Sequence, residues 1–111
     1  MSVYFPSKGD IVWVYLKDQI GHEQQGRRPA LVVSNDLFNQ KTGMAFLCPI
    51  TSSEKGYPFH LKITKSEKTS GVVMVDQIKL VDIISREITF VEKADPLLLN
   101  RVLAVIDRII N

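Results

Sequence analysis

Short apolar runs, separated by turn-forming and charged residues, constrain the fold of this 111-residue chain more than any other feature. The runs are rich in Val, Ile and aromatic residues, which favour strands, and Gly, Pro, Asn and Ser gather between them. We predict strands over residues 11–16, 29–34, 44–50, 59–64, 71–75 and 86–91. Residues 35–43 have room for a helical turn. The chain is therefore mainly β.

The C-terminal segment is the exception, because its apolar residues repeat at helical spacing. Asp95 suits an N-cap, and Pro96 suits the first helical position, where its missing N–H costs nothing. The apolar stripe that follows consists of Leu99, Val102, Leu103, Ile106, Ile109 and Ile110. We expect one domain over residues 1–111, a small antiparallel barrel or curled sheet that carries a C-terminal helix. The apolar stripe of this helix packs on the core, or part of it binds a partner protein.

Composition excludes several classes of protein. With 45% hydrophobic and 23% charged residues the chain is not disordered, and no apolar run approaches the roughly 20 residues that span a bilayer. A single cysteine, Cys48, excludes an intrachain disulfide, and two histidines, His22 and His60, leave little for a metal site. We expect a cytoplasmic protein without metal or cofactor. A chain this short buries only about two-thirds of its unfolded surface, which favours a homodimer.

Polar residues gather where the predicted strands begin and end. They are Glu23, Arg27, Arg28, Thr51, Ser52, Ser53, Asp76 and Gln77. If the second and third strands pair antiparallel, Arg28 and Thr51 meet at one rim of the sheet. A guanidinium beside a hydroxyl can bind a phosphodiester, although this pair at a strand end is also a common structural arrangement. The net charge of +2 is too small to indicate nucleic-acid binding by itself.

Several motifs in order resemble the MazF/PemK family of toxin endoribonucleases. They are Gly-Asp-Ile-Val-Trp-Val at 9–14, Gly-His-Glu-Gln-Gln-Gly-Arg-Arg-Pro-Ala-Leu-Val-Val-Ser at 21–34, Asn-Gln-Lys-Thr-Gly-Met at 39–44, Pro-Ile-Thr at 49–51, Lys-Gly-Tyr-Pro-Phe at 55–59 and Gly-Val-Val-Met-Val-Asp-Gln at 71–77. The resemblance covers nearly the whole chain and weakens only over residues 83–95.

This resemblance implies an SH3-like small barrel of the plasmid toxin superfamily that includes CcdB, Kid and MazF, and it implies a homodimer. It also implies sequence-specific, ribosome-independent cleavage of single-stranded mRNA, which leaves 2′,3′-cyclic phosphate and 5′-hydroxyl ends and arrests growth. The implied partner is the antitoxin of a type II toxin–antitoxin system, whose acidic, disordered C-terminal tail folds along the toxin. A pI of 8.8 suits such a partner.

The same resemblance assigns roles to individual residues. Arg28, directly before Pro-Ala, and Thr51, after Pro-Ile, match the family's catalytic arginine and threonine. Glu23 matches a glutamate implicated in activity. Asp76 matches an acidic residue that assists catalysis in some members, but those members carry a basic residue where this chain has Met74.

The chemistry of the cleavage reaction restricts these roles further. Arg28 can stabilise the charge of the phosphorane, and a guanidinium that stays protonated is a poor general base. Thr51 can donate a hydrogen bond to a phosphate oxygen, and no adjacent base activates it as a nucleophile. The general base stays open between Glu23 and His22. The residues expected to bind RNA are His22, Gln24, Gln25, Arg27, Ser52, Ser53, Lys55, Tyr57 and Gln77.

Among the aromatic residues, Tyr57 is the candidate for stacking on a base, since it follows Thr51 in a loop. We expect Trp13, Tyr15 and Phe59 in the core and His60 on a solvent-facing strand surface.

Two alternatives remain. A gyrase-poisoning toxin on the same fold ends in Trp-Gly-Ile, whereas this chain ends Arg-Ile-Ile-Asn at 108–111. A non-catalytic SH3-like RNA or peptide adaptor has no need for Arg28 and Thr51 at one rim.

Overall fold

The computed structural model describes residues 4–16 and 26–111, and an antiparallel sheet dominates them. Its elements are β1 (Asp10–Tyr15), β2 (Arg27–Val32), α1 (Asp36–Thr42), β3 (Met44–Thr51), β4 (His60–Lys62), β5 (Val72–Met74), a 3-10 helix (Val75–Gln77), β6 (Lys79–Asp82), β7 (Thr89–Lys93) and α2 (Pro96–Ile110). The strand order is β4-β5-β3-β2-β1-β7, and β6 pairs with β3.

Strand β3 organises the sheet because it pairs on both sides. It pairs with β2 on one side, and on the other side its first half pairs with β6 and its end with β5. The sheet is curled like a small barrel, but no pairing of described strands closes it between β4 and β7. The predicted mainly antiparallel β fold with a C-terminal helix is confirmed, in an open form.

Alternation along the strands divides the buried residues into two clusters, as a period of two requires. Ile11, Leu31 and Cys48 belong to one cluster, together with Leu98 and Val102 of α2. Their strand neighbours belong to the other, which contains Val12, Val32 and Leu47 among others. Both faces of the central strands are therefore buried, and α2 covers one of them.

The predicted helical turn is the short helix α1. The side chain of Asn35 caps its N-terminus by accepting a hydrogen bond from the Phe38 N–H at 2.9 Å. Gly43 ends the helix in the left-handed conformation, with φ of 70°. Within the ranges given above, no helix is long and apolar enough to cross a membrane.

Several predicted boundaries were wrong. Strand β2 begins at Arg27 rather than at Pro29, because its pairing with β1 extends to Tyr15 opposite Arg27. Strands β4 and β5 have only three residues each, and β7 begins at Thr89 instead of residue 86. Pairing partners, not local composition, set these ends.

Two side-chain predictions were also wrong. Phe59 is 43% exposed rather than in the core, whereas the His60 side chain is only 7% exposed. Phe59 lies in the turn before the short strand β4, so the alternation expected over residues 59–64 does not reach it. His60 lies against the ring of Tyr57 and the carboxylate of Asp76, which cover its side chain.

Candidate active site

A cavity of about 340 Å³ opens where β2 begins and β3 ends. It is lined by Gly26, Arg27, Arg28, Pro29, Ile50, Thr51, Ser52 and Ser70. Arg28 and Thr51 thus line the same cavity, which is the arrangement that antiparallel pairing of these strands predicts. Arginine and hydroxyl side chains supply hydrogen-bond donors there.

The strand register explains why these two residues meet. Ala30 pairs with Pro49 at the end of the β2–β3 ladder, and the same register continued by two residues places Arg28 opposite Thr51. Each residue is also held from its other side, Arg28 by pairing with Val14 and Thr51 by pairing with Val72. Both therefore project from paired strands, which hold side chains more firmly than loops do.

The Thr51 hydroxyl retains the ability to donate a hydrogen bond into the cavity. Its Oγ1 accepts a hydrogen bond from the Ser53 N–H at 3.2 Å. A hydroxyl has two acceptor positions and one donor, so this bond leaves the O–H proton unused. Thr51 is half-buried and lines the cavity.

The backbone of Gly71 packs directly against the backbone of Thr51. Its φ of +112° is unfavourable for other residues, and a Cβ at this position would lie 2.2 Å from the Thr51 carbonyl oxygen. Only glycine allows the two backbones to approach so closely. Ser70, the preceding residue, lines the cavity and was not among the predicted site residues, although its place before the fifth predicted strand could have indicated it.

Arg27 differs from Arg28 although the two are adjacent. Its guanidinium carbon lies 4.9 Å from the centroid of the Trp13 ring, within the range of a cation–π contact. Successive residues of a strand point to opposite faces, so the two arginines have different surroundings. Both arginines line the cavity, but only Arg27 lies over Trp13, which is half-buried.

The other predicted site residues lie outside this cavity or outside the described residues. Ser53, Lys55 and Tyr57 are exposed on the loop that follows Thr51, and Asp76 and Gln77 are exposed on the 3-10 helix. Asp76 Oδ1 lies 3.3 Å from Nε2 of His60. His22, Glu23, Gln24 and Gln25 lie outside the described residues.

Nucleophilic cysteine chemistry is excluded at Cys48, the single cysteine of the chain. Burial, and secondarily the charge of Asp76, raises the pKa of the Cys48 thiol to about 12. The thiol is therefore protonated at neutral pH and does not act as a nucleophile. In residues 4–16 and 26–111, no group of three or more His, Cys, Asp or Glu side chains is placed to hold a metal ion.

Comparisons with known proteins show which family the chain resembles. Residues 7–110 match the family described as PemK-like, MazF-like toxin of type II toxin–antitoxin system. The endoribonuclease toxin MazF of Escherichia coli K12 is 42% identical over 81 residues, which cover 73% of this chain and 72% of the relative.

Solved structures show the same similarity. A crystal structure of MazF from Deinococcus radiodurans superposes with a TM-score of 0.87 at 38% identity, covering 97% of this chain and 98% of that one. A MazE–MazF structure from the same organism superposes at 0.86 with 33% identity, covering 98% of each chain.

Proposed function

Because the chain belongs to the PemK-like, MazF-like toxins of type II toxin–antitoxin systems, we propose that it cleaves single-stranded mRNA at specific sequences without a metal ion. Membership of the family makes it an endoribonuclease toxin, as predicted. The gyrase-poisoning alternative finds no support among the relatives. We place the activity in the cytoplasm, where mRNA is translated.

The single observation that carries the proposal is that Arg28 and Thr51 line one cavity from paired strands. In the proposed reaction the 2′-hydroxyl oxygen of the RNA attacks the adjacent phosphorus, and the bond from phosphorus to the 5′-oxygen breaks. The 2′-hydroxyl loses its proton, and the leaving 5′-oxygen gains one. The products are a 2′,3′-cyclic phosphate and a 5′-hydroxyl.

Arg28 and Thr51 have complementary roles in this reaction. The pentavalent phosphorane carries more negative charge than the phosphodiester, and preorganised donors stabilise it selectively. Arg28 supplies positive charge and a planar pair of N–H groups, while the Thr51 hydroxyl donates to a non-bridging oxygen. The proton acceptor is Glu23 or His22, both in the segment before β2.

We assign recognition of the RNA sequence to the loop that follows Thr51 and to the segment that precedes β2 in the sequence. Ser52, Ser53, Lys55 and Tyr57 follow Thr51, are exposed, and carry hydroxyl, ammonium and aromatic groups that can contact splayed bases. Arg27 extends the positive charge beside Arg28. We assign His22, Gln24, Gln25 and Gln77 to the same binding surface.

The deciding experiment is digestion of a long single-stranded RNA in the presence of EDTA, with the cleavage ends mapped. We expect cleavage at a short recurring sequence, with 5′-hydroxyl ends that polynucleotide kinase labels without prior phosphatase treatment. The same sequence in a duplex resists cleavage, because the deep groove of A-form RNA hides the base edges. A requirement for Mg²⁺, or 5′-phosphate ends, contradicts the proposed mechanism.

An antitoxin is the expected protein partner of a toxin in this family, and MazE is bound to MazF in the Deinococcus radiodurans complex. We propose that the antitoxin of this chain uses an acidic, disordered C-terminal tail that binds the basic cavity. RNA and a synthetic tail peptide then compete for the toxin. Simultaneous binding of both, measured by fluorescence anisotropy, contradicts this arrangement.

We also propose a homodimer. Part of the apolar stripe of α2 is uncovered, since Ile109 is 45% and Ile110 is 73% exposed. An apolar cavity of about 250 Å³ beside it is lined by Val33, Ser34, Phe46, Ile78, Leu103, Ile106 and Ile110. Burial of such a surface against a second copy supports dimerisation. Sedimentation equilibrium at micromolar concentration tests this, and a mass of 12.6 kDa refutes it.

A further inference from the structure

A second polar cluster, formed by Tyr57, His60 and Asp76, lies apart from the cavity. The His60 side chain is 7% exposed, and its Nε2 lies 3.3 Å from Oδ1 of Asp76. The ring centroids of Tyr57 and His60 are 5.0 Å apart, with the rings tilted by 57°. Tyr57 is itself 52% exposed, so a buried imidazole supports an exposed phenol ring.

Main-chain hydrogen bonds tie the parts of this cluster together. The His60 N–H donates to the Tyr57 carbonyl at 3.1 Å, which closes the turn between them. The Val75 N–H donates to the Phe59 carbonyl at 3.1 Å, which joins this turn to the 3-10 helix that carries Asp76. The turn that carries Tyr57 is therefore joined to the segment that carries Asp76, the partner of the His60 imidazole.

The imidazole of His60 is not explained by stability alone. Its Nδ1 is buried without a hydrogen-bond partner, the one such side-chain atom in the parts of the chain that the structure describes. An unpaired buried polar atom is unfavourable, and an apolar side chain could fill the same space without it. Its contacts give His60 another role, since it links Asp76 to the ring of Tyr57.

We propose that Tyr57 stacks on an unpaired base of the RNA substrate and that His60 and Asp76 are positioning residues for its ring. This inference rests on the proposed function. An exposed aromatic ring on a firm support, in the loop that leaves Thr51, matches the way proteins bind single-stranded RNA. Asp76 then acts through His60 and not in proton transfer, which agrees with its place outside the cavity.

The first test separates KM from kcat for cleavage of a single-stranded RNA that carries the mapped site. Tyr57→Ala raises KM by roughly 5- to 150-fold, the range for loss of one base stack, and leaves kcat within about threefold. Tyr57→Phe keeps the ring and restores KM to within about twofold. Phe59→Ala is the matched control, because Phe59 is exposed on the same turn, and its KM stays near that of the wild type.

The positioning residues are tested by comparing single variants with a double variant that also carries Tyr57→Ala. His60→Ala raises KM in the same direction as Tyr57→Ala, and the double variant is no worse than Tyr57→Ala alone. Asp76→Ala raises KM with kcat retained, and Asp76→Asn, which keeps an oxygen acceptor, recovers most of the loss. If Asp76→Asn instead slows turnover by roughly two orders of magnitude or more, Asp76 acts in proton transfer and the inference is overturned.

A spectroscopic measurement detects the stack directly. The probe is the same RNA with 2′-O-methyl groups, which cannot be cleaved, and with 2-aminopurine placed in turn at each position beside the scissile bond. Stacking on Tyr57 quenches 2-aminopurine fluorescence at one position for the wild type and Tyr57→Phe, but not for Tyr57→Ala. Because Tyr57 is exposed, its variants keep the fold even if His60→Ala does not.

The outcomes distinguish the two proposals. If the wild type fails to cleave RNA in EDTA with 5′-hydroxyl ends, the proposed function is wrong. If cleavage is normal but Tyr57→Ala changes neither KM nor the quenching, or Phe59→Ala produces the effect instead, the positioning inference alone is wrong.

Discussion

The cavity around Arg28 and Thr51 and the cluster of Tyr57, His60 and Asp76 arise from the same kind of sequence pattern and differ in structure. Each contains a polar residue that directly follows or precedes a strand predicted from the sequence. At the cavity, cationic and hydroxyl groups face an open space. In the cluster, the carboxylate of Asp76 faces the buried ring of His60, which lies against the ring of Tyr57. Residue type therefore does not decide whether a polar residue acts on a ligand or positions another residue. Access to the ligand decides it.

The largest effect that sharpens this contrast is expected for Arg28→Lys. Lysine keeps the charge but loses the planar fork that can bind two phosphate oxygens at once. RNA binding stays nearly unchanged, while the rate of cleavage falls by roughly 10²–10³, the scale of losing one preorganised donor. Single-turnover cleavage and anisotropy with uncleavable RNA measure the two quantities separately.

The matched control for this substitution is Arg27→Lys. Arg27 lies over Trp13, and lysine keeps both the charge and the possibility of a cation–π contact, so the rate changes little. Equal and small effects at both arginines would show that they supply only general charge, and the role proposed for Arg28 would then be withdrawn.

Thr51→Ala is expected to lower the rate with binding and fold retained, by an amount similar to Arg28→Lys. The substitution removes the hydroxyl that donates to the phosphate and also the acceptor for the Ser53 N–H at 3.2 Å. Thr51→Ser restores the hydroxyl and most of the rate. If Thr51→Ala cleaves as fast as the wild type, the hydroxyl has no part in catalysis.

A smaller effect, on stability, is expected for Gly71→Ala behind the cavity. A Cβ there meets the Thr51 carbonyl at 2.2 Å, and the φ of +112° is strained for alanine, so the free energy of unfolding falls by roughly 1–3 kcal/mol or more. Gly56→Ala is the control, since its φ is +69° and no heavy atom lies within 4 Å of the added Cβ. Urea denaturation compares them, and equal losses would remove the argument for close approach.

The smallest expected effect is on the stability of the fold at low pH. It arises from Glu92, which lies outside both regions. Partial desolvation raises the pKa of Glu92, but hydrogen bonds from Ser66, Thr69 and the Glu67 N–H outweigh it, and the pKa lies below its usual 4.5. A lowered pKa in the folded state adds stability above the unfolded value, and this stability is lost as the pH falls through the folded value.

Urea denaturation between pH 7 and pH 3 measures this contribution. Glu92→Gln makes the loss of stability in acid less steep than in the wild type. Glu67→Gln, on the adjoining turn, leaves the steepness unchanged, because that carboxylate makes none of these hydrogen bonds. An identical acid profile for Glu92→Gln would contradict the assignment to Glu92.

Prediction from sequence succeeded where a local pattern is compatible with only one type of secondary structure. The spacing of Leu99, Val102 and Ile106 after Pro96 matches α2, whose bounds are Pro96–Ile110. It failed where a strand end depends on its partner, as at Arg27, which pairs with Tyr15. It also failed at His60, because Tyr57 and Asp76, which lie outside its strand, cover the side chain that alternation assigned to solvent.

The sequence by itself determined the alternating and helical periods, the family and the pair of residues, Arg28 and Thr51, on which the chemistry is proposed to depend. Those features lie in local spacing and in side-chain chemistry, which do not need distant partners. Only the tertiary structure decided that Gly71 must lack a side chain behind Thr51 and that Asp76 faces His60. These contacts join segments separated along the chain, and their geometry follows from how the strands pair and not from any one stretch of residues.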